Sequence, residues 1–288
     1  MSYSQSLRDI RDTHYTYQIK DNLENYQIDI KDYKSNPYTF LKYIFYIEAS
    51  SLILYVLIRT NIKPNHVTLA YAFLGILTLI FLSLSNQNIL FLYLGLFIAF
   101  SKGILDACDG YIARLKNQKS ISGFVLDPYG AYINTIGFQS GIGFYLANTY
   151  NENYFLYMAF LIPFCYAIRF KNYAYYSLLN EIIEDRNILD KNHPVENITD
   201  DIKNSKLSKL ERSKFRKFYN IFLSIFDDRA RSVDTIIVLF LIESLFNLKI
   251  IEYVFYFLIF KHLVIVLVSL FVYSNNRWLE SKINKIRK

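Results

Sequence analysis

After about residue 60 the chain is dominated by long apolar runs broken by short polar turns, with little of the alternation expected of strands or the striping of soluble helices. Runs near 66–85, 88–108, 127–148, 154–175, 232–246 and 250–273 approach the roughly 20 residues a helix needs to cross about 30 Å of hydrocarbon. They predict an all-α, polytopic membrane protein with six transmembrane helices and both termini on one side. The run at 232–246 is the shortest of the six. Residues 38–59 are also apolar, but Lys42, Glu48 and Arg59 interrupt them, which predicts an N-terminal amphipathic helix lying on the membrane surface; a seventh span is the alternative. The expected organisation is therefore an N-terminal segment and interfacial helix over 1–60, then a six-helix membrane domain over 61–288 with a polar loop at about 180–230.

Composition agrees with this reading, because 53% of the 288 residues are hydrophobic and 18% aromatic while 20% still carry charge. The first 34 residues are polar, without the basic start and apolar stretch of a secretory signal, so no cleaved leader is expected. Cations then set the orientation. The turns around Asn86 and Asn151 carry none, and Lys249 is the only one near the third turn on that side. The other side holds Arg114, Lys116, Lys119, the run from Lys203 to Arg231 and the tail from Arg277 to Lys288. By the positive-inside rule this basic side is cytoplasmic, predicting an integral protein of a bacterial or archaeal cytoplasmic membrane with both termini inside. The net charge of +7 then reads as attraction to anionic lipid and not to nucleic acid.

Several features have ordinary readings. Cys108 and Cys165, in apolar helical context, are small packing residues. The Asn197 sequon falls on the predicted cytoplasmic side, and the cationic run from Lys206 to Lys217 suits a surface-lying or a solvated helix equally well. Gly137, Gly141 and Gly143 form a small-residue stripe suited to close helix packing or to a dimer interface. Glu243, Lys261 and His262 fall within predicted spans but form no path from face to face, so helix pairing or snorkelling is preferred to transport.

The chemistry concentrates between Asp106 and Ala131. Asp106 and Asp109 are three apart and share one side of a helix. Asp127 opens the next span, and a short loop returns it to the same membrane face. Three carboxylates gathered at the edge of a low-dielectric layer repel one another unless protonated or bound to cations. All-oxygen ligation without His or Cys favours a hard ion, Mg²⁺ or Mn²⁺, which commonly acts with substrate phosphates. Gly110 lets a ligand approach the backbone, Ala113 keeps the same face open, and Arg114 offers a fork suited to phosphate oxygens. Lys102, four residues before Asp106, is placed to reach a phosphate or to neutralise that Asp.

This spacing resembles the D-x2-D-G-x2-A-R-x8-G-x3-D-x3-D motif of the CDP-alcohol phosphotransferase (phosphatidyltransferase) family, with Asp106, Asp109, Gly110, Ala113, Arg114, Gly123 and Asp127 matching. Pro64-Asn65-His66-Val67-Thr68 is similar to the family's Pro-Asn-x-Val-Thr segment. The resemblance implies a six-helix, commonly homodimeric fold in which the Asp residues bind two metal ions that hold a CDP-alcohol diphosphate. An acceptor hydroxyl, on a lipid or a polyol, attacks the β-phosphoryl group and CMP leaves. By the same analogy Asp106, Asp109 and Asp127 are metal ligands, while Gly110, Ala113, Arg114, Gly123, Pro64, Asn65 and Thr68 border the nucleotide. One position departs: Ala131 stands where the family has a fourth Asp, proposed as general base and ligand. Asn134 and His66 are weighed as substitutes. The alternatives to an enzyme of phospholipid or related phosphodiester synthesis are a catalytically impaired relative that keeps nucleotide or metal binding and, further off, a transporter.

Overall fold

Short polar turns punctuate the apolar runs, and helices begin and end in them. The computed structural model describes residues 6–26, 37–118, 120–169, 230–246 and 248–273, and among them the only regular structure is helix. In chain order these helices are α1 (Leu7–Tyr26), α2 (Pro37–Leu57), α3 (Pro64–Ser83), α4 (Ile89–Ser101), α5 (Gly103–Leu115), α6 (Ile121–Tyr150), α7 (Tyr154–Ala167), α8 (Ala230–Phe246) and α9 (Ile250–Tyr273).

The boundaries have local causes. Pro64 starts α3 at a position where its missing N–H costs nothing. The Asn88 side chain accepts from the Leu90 N–H at 2.8 Å and the Ser120 hydroxyl from the Gly123 N–H at 3.0 Å, capping α4 and α6. α6 ends at Asn151, whose left-handed φ of 56° suits asparagine. Between α4 and α5 the rod breaks for one residue at Lys102, and the Tyr46 hydroxyl donates to the Phe100 carbonyl there at 2.6 Å. Gly103 makes room for that tyrosine, since a Cβ on it would lie 2.7 Å from the Tyr46 ring.

Among the described residues, four helical segments are long and apolar enough to cross a membrane: Phe40–Leu57, Pro64–Ser83, Ile89–Leu115 and Ile250–Phe271. The first is the segment expected to lie on the membrane surface, so the seventh-span alternative is open to it as well. α6, at 30 residues, is about 45 Å long and carries the third predicted span. α7 carries the fourth up to Ala167; residues 170–175 lie outside the described residues, as do the 180–230 loop, the Asn197 sequon, the 206–217 run and the tail from 277. Large apolar side chains such as Phe73, Phe97, Phe160 and Phe271 face outward, an arrangement that hydrocarbon tolerates and water does not.

α3 and α6 form the centre of the bundle, and their crossing depends on glycine. A Cβ on Gly137 would lie 2.1 Å from the Gly75 carbonyl oxygen, and one on Gly75 would lie 2.6 Å from the Asn134 Cα. Gly141 meets Leu79 and Leu82 of α3, while Gly143 meets Ala159 of α7 and Phe255 of α9. The small-residue stripe is thus filled by neighbours within the chain. One apolar cluster joins α3, α4, α6, α7, α8 and α9 through Leu82, Phe138, Phe155 and Phe255; a second joins α1, α2, α3 and α5 through Ile10, Leu54, Val67 and Ile112.

Polar residues inside the bundle pair helices. His262 of α9 is fully buried, with one ring nitrogen 2.6 Å from Gln139 Oε1 on α6 and the other 2.9 Å from Arg169 beyond α7. Glu243 accepts from the Ile251 N–H at 2.7 Å, joining α8 to the start of α9. Lys42 of α2 forms an ion pair with Asp234 of α8, both nearly buried. Cys108 and Cys165 are buried and unbridged, as small packing residues should be.

Candidate functional site

Three chain segments meet at the end of the bundle where α3 and α6 begin and α5 finishes. The first is the opening turn of α3. Lys116, just past α5, donates to the carbonyls of Thr60 and Ile62 at 2.8 and 3.0 Å, fixing the approach to Pro64. Asn65 then donates to the Ser122 hydroxyl at 3.1 Å, and a Cβ on Gly123 would lie 3.1 Å from Asn65 Oδ1. The start of α3 and the start of α6 therefore touch, with glycine at the contact.

The second segment is α5. Asp106 and Asp109 lie one turn apart, but their surroundings differ: Asp106 is exposed, while Asp109 is 8% exposed. The Thr68 hydroxyl of α3, itself buried, donates to Asp109 Oδ2 at 2.6 Å, a short bond of the kind formed to a charged acceptor. Pro64, Val67 and Thr68 are the buried members of the Pro64–Thr68 turn, and His66 is exposed. Arg114 folds back over Gly110: a Cβ at 110 would lie 3.3 Å from an Arg114 guanidinium nitrogen, so the arginine would have to shift slightly to admit one. Ala113 is half-buried beside them.

The third segment is the first turns of α6. Asp127 is exposed and followed by Pro128, which removes one backbone donor from the helix at that turn. The charge of Asp127 acts on both Asp106 and Asp109, Arg114 acts on Asp109, and Lys102 acts on Asp106. Lys102 does this from the break between α4 and α5, where it is 8% exposed. Ala131, one turn beyond Asp127, is half-buried and presents a methyl group. Asn134 does not replace it as an open donor: its amide nitrogen donates to the carbonyls of Tyr71 and Gly130 at 2.8 and 3.0 Å, tying α6 to α3.

Sequence reasoning missed Tyr71. It is 4% exposed, all three aspartates act on it, and its ring lies where a Cβ on Gly130 would be 2.9 Å away. The three-residue step from Thr68 to Tyr71 was the available signal, since it puts both on one face of α3. Also missed was Tyr17 of α1, whose ring centroid lies 3.6 Å from the Arg114 guanidinium carbon.

The donor set suits a hard cation: carboxylate oxygens from two helices, repelling one another, with a hydroxyl beside them. Among the described residues, however, no group of three His, Cys, Asp or Glu side chains is drawn close enough to form a ready-made metal site.

Residues 61–172, which hold all three segments, match the family model described as CDP-alcohol phosphatidyltransferase. The chain is also 39% identical over 80 residues to a protein of Escherichia coli (strain K12) described as inner membrane protein YnbA. That overlap takes in 28% of this chain and 39% of the relative's length. No solved structure matches. The motif and the matched family model thus fall on the same stretch, residues 61–172 of this membrane protein, which is similar to CDP-alcohol phosphatidyltransferase domains.

Proposed function

We propose that this chain transfers a substituted phosphate from a CDP-alcohol to an acceptor hydroxyl, on a lipid or a polyol, and releases CMP. The observation that carries the reading is the meeting of the Pro64–Thr68 turn with the Asp106–Arg114 and Gly123–Asp127 segments within the stretch that matches the family. In this reading Asp106, Asp109 and Asp127 hold Mg²⁺ or Mn²⁺, two ions by family analogy. Bound there, such ions would neutralise the diphosphate and stabilise the attacking and leaving oxygens.

The chain's own groups do the rest. Thr68 holds the Asp109 carboxylate in one orientation. Arg114 supplies planar donors for phosphate oxygens, and Gly110 and Gly123 keep backbone close to the nucleotide. Lys102 offsets part of the carboxylate charge. The acceptor oxygen forms a bond to the phosphorus bearing the alcohol as the bond from that phosphorus to the bridging oxygen breaks, and CMP leaves with the electron pair. The acceptor proton passes to water, since position 131 offers no carboxylate. That methyl group favours one second reading, a relative that binds CDP-alcohol and turns it over slowly or not at all. In both readings the protein sits in a cytoplasmic membrane with its site inside and works as a homodimer.

The test is CMP release from CDP-diacylglycerol and from a soluble CDP-polyol by the full chain in lipid nanodiscs, with Mg²⁺ or Mn²⁺. Metal-dependent release that Asp109→Asn abolishes is the expected result. Binding of the donor without release supports the second reading, and neither binding nor release with any donor overturns both.

A further inference from the structure

We propose that α1, which lies outside the family-matched segment, is part of the site, and that Tyr17 is a positioning residue for Arg114. The proposal rests on reading the site as one for CDP-alcohol. Its basis is how α1 is docked. Ile10, His14 and Tyr17 recur at the four- and three-residue steps that place side chains along one face of a helix. Ile10 and His14 are both fully buried on this face. His14 stands 5.4 Å, ring to ring, from Tyr111 of α5, and one of its ring nitrogens is 3.2 Å from the Ser50 hydroxyl of α2. On the neighbouring face Arg11 and Tyr15 both donate to Glu48 of α2, at 2.8 and 2.9 Å. The helix is therefore held at five positions in two turns, and the last of them is Tyr17 against Arg114.

At that contact the guanidinium is enclosed on two sides. Its carbon is 3.6 Å from the centroid of the Tyr17 ring, and its nitrogen lies 3.3 Å from where a Cβ on Gly110 would be. Stacking engages the face of a guanidinium and by itself uses none of the N–H donors around its edge. An arginine held in this way keeps its plane fixed, which a planar two-point contact with phosphate oxygens requires. Without the ring, a long flexible side chain would have to be ordered by the ligand itself, which weakens binding.

Two measurements on the full chain in nanodiscs test this. The first is the rate at which phenylglyoxal modifies Arg114, read by mass spectrometry of its peptide. Tyr17→Leu should raise the rate about fivefold or more, whereas Tyr17→Phe and Tyr17→Trp, which keep an aromatic face, should leave it near the parent value. The second is the dissociation constant for CDP-diacylglycerol. Tyr17→Leu should weaken it roughly tenfold, and should add nothing once Arg114→Ala is present. An unchanged modification rate in Tyr17→Leu, or a Tyr17→Leu loss that persists in the Arg114→Ala background, overturns the proposal. If the parent protein does not bind CDP-diacylglycerol, the assignment of that donor fails, and the modification rates still decide whether Tyr17 holds Arg114.

Discussion

At the scale of single residues, Ala131 stands where the motif that the sequence resembles ends in a fourth Asp. Ala131 follows Asp127 by one helical turn, so an Asp there would face the same side and add a fourth carboxylate beside the other three. Replacing a missing general base is typically worth roughly 10²- to 10⁴-fold in rate. Ala131→Asp is accordingly expected to raise metal-dependent CMP release by a factor in that range, measured at saturating donor and acceptor. Equal rates in the two proteins would mean that another group, or water alone, already removes the proton. Position 131 is half-buried. The same scale explains what sequence could not reveal. The aspartates, the arginine and the glycines were legible because their spacing is chemical, but Tyr71 and Tyr17 belong to no motif. Their roles come from which helices lie beside α5, and one chain's aromatic content of 18% makes any single tyrosine inconspicuous.

At the scale of helices, two contacts make predictions of opposite character. The α3–α6 crossing leaves no space, since a Cβ at 137 would meet the Gly75 carbonyl at 2.1 Å. Gly137→Ala must push two backbones apart and is expected to cost about 1–3 kcal/mol, seen as a lower midpoint for unfolding in detergent. Tm unchanged within error would mean that the helices separate freely. The docking of α1 instead depends on pH. Burial, and then the charge of Arg114, push the His14 imidazole down to about 4. Undocked, the ring would titrate near 6.5, so between about 4 and 6.5 the undocked state binds the extra proton and acidification favours release. Docking is complete in this respect above about 6.5, weakens by about 2 kcal/mol at pH 5, and loses no more on this account below about 4. A spin label at exposed Thr16 should shift from an immobilised to a mobile spectrum over that window, and His14→Leu should remove the shift. Apolar run length located the spans, but it could not locate α1, whose residues are mostly polar and whose buried side chains, among those described, are Ile10 and His14.

For the whole molecule the question is which end faces the cytoplasm, and the proposed orientation puts the basic end there. Sequence predicts that the turns near Asn86, Asn151 and Lys249 share a side and that this side is poor in cations. In the structure Asn148 donates to the Ser83 carbonyl at 2.7 Å, the Lys249 ammonium lies 4.9 Å from the Tyr150 ring centroid, and the Tyr154 and Tyr256 hydroxyls are 2.7 Å apart. The three turns are therefore at one end of the bundle, and Arg114, Lys116 and the site are at the other. The proposed orientation puts the basic end inside, where an anionic inner surface attracts it by about 1 kcal/mol for each cation near it. Cysteine at exposed Asn86 or Asn151 is thus expected to react with a membrane-impermeant maleimide added to intact bacterial cells expressing the protein. Cysteine at exposed Gln118 should react only after the membrane is opened. The two native cysteines are buried and should contribute little background. The reverse labelling pattern would put the carboxylates on the outer surface, away from the cytosolic nucleotide pool, and the proposed reaction would then lack its donor.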